Sequence, residues 1–465
     1  MRISDGRHYI DGSWVPGAAT APVTEKATGA EIGTYALGDA SDVDRAVAAA
    51  VRAQPAWAAL LGEERAAVLR RAAAILERRA GEFEEMLMRE TGGVRGKARG
   101  EINAAIGKFL ESASLARRAG GDLLPAFKPG KLILNQRVPL GVVAAIIPWN
   151  FPIVLALRPL GPALALGNTV VLKPAELTPI AGGQLLVEVL EEAGAPPGVI
   201  NLVTGDGPDA GEPLAAHPDV AMIHFTGSTE IGRLMARIAA RDFKRTSLEL
   251  GGDNALVVLD DADVEAAASC GAWASFEFQG QTCITAGRHI VHESVAEAYT
   301  DALVAKARAL TVGDPFDAGV RLGPMISEGQ RDRVADLVAR SVKMGARLVE
   351  GGTHDGLFYR PAVVTGVTPD MPLFTEETFG PVAAITVVSS EEEALELTNQ
   401  CPALVNSVYT GDLMRGLAFA ERVRSGMVHV NDAMGRPTGE EDIDEFTQRR
   451  WIGIQRAPLS WDVSS

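Results

Sequence analysis

The sequence predicts an α/β fold that contains a doubly wound parallel sheet, a second α/β unit and a small β arm. From residue 141 onward, apolar and β-branched runs alternate with helical segments, a pattern typical of a parallel sheet with helices on both faces. With 465 residues, the chain is too long for one hydrophobic core and should divide into two or three domains. Residues 120–140 differ from both units, because their alternation predicts an extended arm.

The N-terminal part is expected to begin with short strands and turns. Residues 1–40 include Asp11-Gly12, a pair that suits a tight hairpin turn. Ser41 together with Asp44 then predicts the start of a helix. Alanine-rich runs predict helices at residues 43–59, 63–89 and 99–118.

The arm is predicted from residues 120–140, where strand-like alternation includes Leu132 to Val138. An ordinary surface hairpin would give the same pattern. Residues 449–455 near the C-terminus also have the pattern of a strand. Together with the arm, this strand suggests a dimer or a dimer of dimers.

The first sheet is predicted from five runs, at residues 141–147, 169–173, 199–203, 221–226 and 246–250. A helix is expected over residues 179–192, with Thr178 as its N-cap, Pro179 in its first turn and Gly194 beyond its end. The ligand site of a doubly wound sheet lies at the carboxyl ends of its strands. Polar residues and glycines follow four of these strands: Asn150, then Lys173 and Glu176, then Gly205 and Gly207, then Gly227 and Ser228.

The second unit begins near Asn254. Its predicted strands are residues 255–259, 289–292, 362–367, 383–388 and 405–409. Its predicted helices are the one that precedes Cys283 and those over residues 295–310 and 330–344. Strands and helices again alternate, which predicts a second layered α/β sheet.

The composition excludes several classes of partner. The net charge of −16, from 44 basic and 60 acidic residues, argues against nucleic acid and anionic membrane surfaces. No apolar run approaches the roughly 20 residues of a membrane span, and the first residues lack an apolar signal core, so a cytoplasmic location is expected. The 3 cysteines fit no disulfide or zinc pattern and the 7 histidines are scattered, so no metal is expected.

Cys283 is the candidate nucleophile. Most lone cysteines are small buried hydrophobic residues, and Cys270, inside a helical run of alanines, fits that description. Cys283 instead follows Gly280-Gln281-Thr282 and is surrounded by polar residues. Glu249 follows an apolar run and precedes two glycines, which can direct its carboxylate into a cleft as a general base.

Gly227 to Gly232 form a second candidate feature. This segment opens a helix directly after a strand, so its N–H groups and the positive helix end can face an anion such as a pyrophosphate. It is not the G-x-G-x-x-G fingerprint, and many strand-to-helix turns that contain glycine bind nothing.

Five motifs in register resemble the aldehyde dehydrogenase superfamily, and the likeness runs from about residue 12 to about residue 432. They are Pro148-Trp149-Asn150-Phe151-Pro152, Phe225-Thr226-Gly227-Ser228, Leu248-Glu249-Leu250-Gly251-Gly252, Gly280-Gln281-Thr282-Cys283 and Glu377-Thr378-Phe379-Gly380-Pro381. The details that surround Glu249 and Cys283 look most like the benzaldehyde, vanillin and salicylaldehyde dehydrogenase branch.

The resemblance implies a Rossmann-like NAD-binding domain (residues 1–119 and 141–250), a catalytic domain (251–430) and an oligomerisation arm (120–140 and 431–465). A homodimer or homotetramer follows from that arm. Cys283, Glu249 and Asn150 are implied as catalytic residues. The implied cofactor-binding residues are Ile146, Trp149, Lys173, Glu176, Gly207, Gly227, Ser228, Gly232, Glu377 and Phe379.

The implied reaction oxidises an aldehyde through a thiohemiacetal and a thioester on Cys283. Asn150 and the N–H of Cys283 would hold the oxyanion, and Glu249 would activate water. Phosphate or coenzyme A can in principle replace that water. NADP is disfavoured, because Glu176 would repel a 2′-phosphate. An aromatic aldehyde is the expected substrate, with walls from Trp149, Phe151, Phe276 and Phe278. The alternative is a succinate-semialdehyde-type or other aliphatic aldehyde.

The chain departs from the family pattern at two places. A glycine-rich segment is missing where Ala433 to Gly439 lead directly to Ile443, and Asn399 to Leu404 lack the glycine that usually precedes the next strand. The first departure leaves open a catalytically impaired member that only binds ligands.

Overall fold

A computed structural model describes residues 6–118, 120–126, 128–432 and 441–455 of the chain. No helix in these ranges combines the length and apolar character that crossing a bilayer requires. The glycine-rich departure at residues 433–439 lies outside the described residues.

Residues 6–118 contain four strands and four helices. They are β1 (Arg7–Ile10), β2 (Ser13–Pro16), β3 (Ala19–Thr24), β4 (Glu31–Leu37), α1 (Ala40–Ala59), α2 (Gly62–Arg78), α3 (Ala80–Thr91) and α4 (Arg95–Leu115). The single helix predicted over residues 63–89 is therefore two helices. Arg79, with φ −91° and ψ 9°, separates α2 from α3. The sequence showed one continuous helical pattern because only this residue leaves helical geometry.

Helix α1 begins earlier than predicted. Its N-cap is Asp39, whose carboxylate accepts hydrogen bonds from the N–H groups of Ser41 and Asp42, at 2.8 and 3.2 Å. Asp42 in turn accepts from the Asp39 N–H at 3.2 Å. The capping pair is thus Asp39 and Asp42 rather than Ser41 and Asp44.

The middle of the chain forms two strands of the arm and the rest of the first sheet. The elements are β5 (Gly121–Leu124), β6 (Lys131–Pro139), β7 (Val142–Ile146), α5 (Pro152–Ala165), β8 (Thr169–Lys173), α6 (Leu185–Glu192), β9 (Ile200–Leu202), α7 (Glu212–Ala216), β10 (Val220–Gly227), α8 (Thr229–Arg241) and β11 (Arg245–Leu250). The strand order is β11-β10-β7-β8-β9-β1-β2. The strands from β11 to β9 are parallel, which confirms the predicted α/β architecture.

Both faces of this sheet are buried, as a doubly wound sheet requires. Side chains of successive strand residues point to opposite faces. In β7, Val143 and Ala145 belong to one hydrophobic core, and Val142 and Ala144 to another on the other side.

The predicted cap of the helix over residues 179–192 is wrong. A π-helical turn, Ile180–Gln184, precedes α6, and the buried Thr178 hydroxyl makes no side-chain hydrogen bond. The carboxylate of Glu90, at the end of α3, instead accepts from the N–H groups of Ile180 and Ala181 at 3.0 and 2.7 Å. A cap from a residue so distant in sequence leaves no local pattern to detect.

The second unit runs from β12 to β20. Its elements are β12 (Asn254–Val258), α9 (Val264–Phe276), β13 (Ala286–His292), α10 (Glu293–Ala309), α11 (Glu328–Lys343), β14 (Arg347–Glu350), β15 (His354–Asp355), β16 (Phe358–Tyr359), β17 (Ala362–Thr365), α12 (Pro372–Thr375), β18 (Val382–Val388), α13 (Glu391–Thr398), β19 (Ala403–Tyr409), α14 (Leu413–Ala420) and β20 (Ser425–Val430). A seven-stranded sheet has the order β14-β17-β18-β13-β12-β19-β20.

The arm is a three-stranded antiparallel sheet. After α15 (Glu441–Glu445), the last strand, β21 (Thr447–Gln455), pairs with β6 over nine residues, from Thr447 opposite Pro139 to Gln455 opposite Lys131. Strand β5 covers the other edge of β6. The predicted C-terminal strand thus completes the predicted hairpin.

Candidate active site

One cleft of about 370 Å³ collects many of the predicted site residues. It lies where β10 and β11 end, beside the loop that follows β7, and both α/β units contribute to it. The predicted residues that line it are Trp149, Asn150, Gly227, Ser228, Glu249, Cys283, Glu377 and Phe379. The residues from the first unit meet there because the carboxyl ends of parallel strands share one edge of the sheet. Cys283, Glu377 and Phe379 come instead from loops that precede β13 and β18 in the second unit.

Cys283 lies on a loop that is held in an unusual backbone conformation. Phe278, Gln279 and Gly280 before it have φ values of 49°, 56° and 64°, the left-handed region that disfavours side chains. A Cβ on Gly280 would lie 2.1 Å from the carbonyl oxygen of Gly380. Only glycine therefore fits at this position.

Asn254 holds the other side of this loop. Its amide nitrogen donates to the carbonyl oxygens of Cys283 and Thr285 at 2.9 and 3.0 Å. Its side-chain oxygen accepts from the N–H groups of Leu404 and Val405. Strand β12 thereby fixes the cysteine loop to β19, a role that sequence reasoning did not assign to Asn254.

The surroundings of Cys283 favour the neutral thiol. Burial raises the thiol pKa to about 11, and the carboxylates of Glu249 and Glu377 add to the rise, while the guanidinium of Arg158 opposes it. The thiolate is the nucleophilic form of cysteine. A base close to the thiol is therefore needed at neutral pH.

Glu249 and Arg158 form an ion pair at the cleft, with 3.2 Å between Arg158 Nη1 and Glu249 Oε2. Both side chains are mostly buried, at 19% and 18% exposed. Sequence reasoning missed Arg158, although a charged residue within the apolar run of α5 is a signal that could have indicated it.

Asn150 joins the cysteine loop directly. It is 3% exposed, and its amide nitrogen donates to the carbonyl oxygen of Gln281, two residues before Cys283, at 3.0 Å. An amide nitrogen carries two hydrogens, so a second N–H remains for a group bound in the cleft.

Glu377 and Phe379 lie opposite β11. The Gly252 N–H donates to Glu377 Oε1 at 3.3 Å, and a Cβ on Gly251 would lie 2.3 Å from the same oxygen. Burial raises the pKa of Glu377. Gly251 and Gly252 thus make room for the carboxylate of Glu377, a contact that the sequence alone did not reveal.

Lys173, Glu176 and Gly207 form a separate group where β8 and β9 end, and none of them lines the cleft. Lys173 is 4% exposed, with its ammonium 3.8 Å from Glu176 Oε2. Burial lowers the Lys173 pKa, while the carboxylates of Glu176 and Asp206 oppose that change. Glu176 itself is exposed and available to a ligand.

Ile146 and Gly232 also lie outside the cleft lining. Ile146 ends β7 and is 8% exposed. A Cβ on Gly232 would lie 2.4 Å from Leu250 Cδ2. Gly232 therefore lets α8 pack closely on β11.

Of the four predicted aromatic walls, only Trp149 lines the cleft. Phe276 and Phe278 are 1% and 2% exposed, and the Phe151 ring packs edge-on against Phe278 at 5.6 Å. Trp149 meets Phe379 in the same way, with ring centroids 5.6 Å apart. The other three rings do not line this cleft.

Side chains at the cleft and near the ends of β8 and β9 fit a dinucleotide. Ser228 caps the N-terminus of α8, whose remaining N–H groups can face a pyrophosphate. The carboxylates of Glu176 and Glu377 can accept hydrogen bonds from ribose hydroxyls. Within the described ranges, no three His, Cys, Asp or Glu side chains group as metal ligands.

Comparisons with known proteins agree with this geometry. Residues 14–446 match the model of the aldehyde dehydrogenase family. Benzaldehyde dehydrogenase [NAD(+)] of Pseudomonas putida is 43% identical over 97% of this chain and 96% of its own length. Vanillin dehydrogenase of an Amycolatopsis species is also 43% identical, over 96% and 95%.

A solved structure shows the same architecture. The crystal structure of an NAD-dependent benzaldehyde dehydrogenase from Corynebacterium glutamicum superposes with a TM-score of 0.92 at 38% identity. The match covers 97% of this chain and 99% of that one.

Proposed function

Because this chain belongs to the aldehyde dehydrogenase family, we propose that it oxidises an aromatic aldehyde to the carboxylic acid, with NAD as the cofactor and Cys283 as the nucleophile. The observation that carries this proposal is the single cleft in which Cys283, Glu249 and Asn150 meet. The named relatives act on benzaldehyde and vanillin and support an aromatic substrate.

The first step is addition of the thiol to the aldehyde. Glu249 removes the proton that the buried thiol holds at neutral pH, and the sulfur of Cys283 bonds to the carbonyl carbon. The carbonyl oxygen becomes an oxyanion. The free N–H of the Asn150 amide and the backbone N–H of Cys283 stabilise that charge.

Oxidation then converts the tetrahedral adduct into a thioester on Cys283. The C–H bond breaks and its electron pair leaves as hydride while the C=O bond re-forms; NAD supplies the hydride acceptor when it is bound. Trp149, Glu377 and Phe379 lie on the cleft wall where they can orient the nicotinamide end.

Hydrolysis releases the acid. Glu249 first passes the proton of the Cys283 thiol to solvent and then takes a proton from water. The hydroxide adds to the thioester carbon, the C–S bond breaks, and the departing Cys283 thiolate recovers a proton from Glu249. Arg158, 3.2 Å from Glu249, orients this carboxylate both for deprotonation of the thiol and for activation of water. A positioned base favours water over phosphate or coenzyme A as the acceptor.

The adenosine end of NAD is assigned to the first α/β unit. Glu176 is proposed to bind the ribose hydroxyls beside Lys173, with the pyrophosphate at Gly227 and Ser228. A carboxylate at that ribose repels a 2′-phosphate and so favours NAD over NADP.

Assembly and location complete the proposal. The arm exposes large apolar side chains, with Leu123 at 69%, Trp451 at 67% and Ile454 at 48%. Burying them against another copy would give the homodimer or homotetramer.

A cytoplasmic location suits the free thiol that Cys283 must keep.

The test is NADH formation with benzaldehyde, compared between the wild type and Cys283→Ala. The wild type should turn over, and the variant should fall to the background rate. Cys401→Ala, which removes another free thiol, should keep wild-type turnover. Equal rates for the wild type and Cys283→Ala over a panel of aromatic and aliphatic aldehydes would refute the proposal.

A further inference from the structure

A buried ion pair lies behind the candidate active site, on one face of α4. Lys97 Nζ lies 2.6 Å from Glu101 Oε2, and the two side chains are 1% and 0% exposed. Burying such a pair usually stabilises a fold no better than apolar residues of similar volume would. What the pair adds is a set of directed hydrogen bonds.

The hydrogen bonds of this pair reach the loop that carries Asn150. Lys97 Nζ donates to the backbone carbonyl of Asn150 at 2.7 Å. Glu101 Oε1 accepts from the Ile153 N–H at 2.8 Å. Helix α5 has no cap from its own N-cap residue, Phe151, so Glu101 supplies the cap from another helix.

The ammonium of Lys97 also contacts the loop that carries Cys283. It lies 4.4 Å from the ring centroid of Phe151 and 4.3 Å from that of Phe278. Both distances suit a cation–π contact. Phe278 belongs to the left-handed backbone run just before Cys283.

One buried cation therefore contacts both loops. We propose that Lys97, held by Glu101, is a positioning residue that sets the separation between the Cys283 sulfur and the Asn150 amide. This inference rests on the proposed function, because the separation matters only if that amide stabilises an oxyanion formed at Cys283. Misplacing a catalytic group by about 1 Å can cost on the order of 10²-fold in rate.

The experiment is a double-mutant cycle between Lys97→Met and Asn150→Ala, with benzaldehyde and NAD. Methionine has nearly the length of lysine but neither its charge nor its donors. Lys97→Met alone should lower kcat about 10- to 100-fold. It should leave the KM for NAD within about threefold, since Lys97 does not line the cleft. In the Asn150→Ala background, the same substitution should lower kcat by less than about threefold.

Lys108→Met is the matched control. Lys108 lies on the same helix, is 8% exposed and pairs with Asp442 at 2.9 Å. This substitution also removes a buried lysine charge from α4, but away from the Asn150 loop, so kcat should stay within about twofold of the wild type.

Two kinetic results would overturn the inference: wild-type kcat in Lys97→Met, or an undiminished loss in the Asn150→Ala background. If Lys97→Met does not fold, Glu101→Gln takes its place in the cycle, since it removes the charge that holds the ammonium but keeps an acceptor for the Ile153 N–H.

A crystal structure of the Lys97→Met protein separates this inference from the proposed function. We expect the Asn150 amide to lose its hydrogen bond to the Gln281 carbonyl there. If Asn150 does not move, the positioning role of Lys97 is overturned, whether or not the wild type is active. If the wild type oxidises no aldehyde, only the proposed function is refuted.

Discussion

At the scale of single residues, two carboxylates and one guanidinium act in opposite directions on the pKa of the Cys283 thiol. Glu249 and Glu377 raise the thiol pKa together with burial, and Arg158 lowers it. Arg158 therefore has two effects, since it also binds Glu249. Removing its charge therefore changes the surroundings of both the proposed nucleophile, Cys283, and the proposed base, Glu249.

We expect Arg158→Leu to slow the alkylation of Cys283 by iodoacetamide about tenfold at pH 8. The loss of a nearby cation raises the thiol pKa further, and one pKa unit changes the thiolate fraction tenfold. The rate should increase with pH in both proteins, because the thiolate is the form that reacts, toward the pKa of about 11 in the wild type and toward a higher pKa in Arg158→Leu.

Arg333→Leu is the control for Arg158→Leu. Arg333 lines the same cleft, but its Nη1 donates to the Thr378 carbonyl rather than to Glu249. Equal alkylation rates for Arg158→Leu and the wild type would show that this guanidinium does not act on the thiol.

Glu176 should decide the choice of cofactor. The wild type should have a kcat/KM for NAD at least about tenfold above that for NADP at low salt. Glu176→Gln should narrow the ratio, because the amide does not repel a 2′-phosphate. Glu31→Gln, which removes another exposed carboxylate, should leave the ratio of the two kcat/KM values unchanged. Equal kcat/KM values for NAD and NADP in the wild type would contradict the role of Glu176.

At the scale of elements, the cysteine loop depends on a close approach between two backbones. Gly280 adopts φ +64°, and a Cβ there would lie 2.1 Å from Gly380 O. The turn before Cys283 and the segment after Phe379 thus hold each other in place. This contact positions the thiol relative to Glu377.

Gly280→Ala should therefore abolish aldehyde oxidation and destabilise the protein by about 1–3 kcal/mol. Thermal unfolding and NADH formation measure the two effects. Gly356→Ala separates strain from collision, since Gly356 has a similar φ of +54° but nothing within 4 Å of a Cβ. Gly356→Ala should keep its activity. If it instead lost as much activity as Gly280→Ala, backbone strain alone would explain the loss in both variants.

At the scale of the whole molecule, the arm connects regions that are distant in sequence. Strand β21 pairs with β6 along its full length, while Lys108 on α4 binds Asp442 in α15. The C-terminal segment is thus anchored to the first unit. The face of the arm that carries Trp451 is left exposed.

Light scattering should give a mass at least twice that of the 49.0 kDa chain at micromolar concentration. Trp451→Lys should shift the protein toward the monomer, because it places a charge on the exposed apolar face of the arm. Leu61→Lys, at a side chain that is 71% exposed but outside the arm, should not. A monomeric wild type would rule out assembly through this surface.

Local sequence patterns predicted most of the elements. Alternating apolar runs indicated the strands that flank the site, and the carboxyl-end rule brought Asn150, Gly227 and Glu249 together. The errors arose where a distant residue decides the outcome. Thr178 has the character of an N-cap, yet Glu90 supplies the cap of its helix.

The sequence by itself determined the α/β architecture, the family and the candidate site residues, because these follow from local periodicity and from motifs of a few residues. Only the tertiary structure decided which charges act on them. Arg158 binds Glu249 from 91 residues away and Lys97 binds Asn150 from 53 away. Such pairs follow from how helices pack against a sheet, and no period in the chain encodes them.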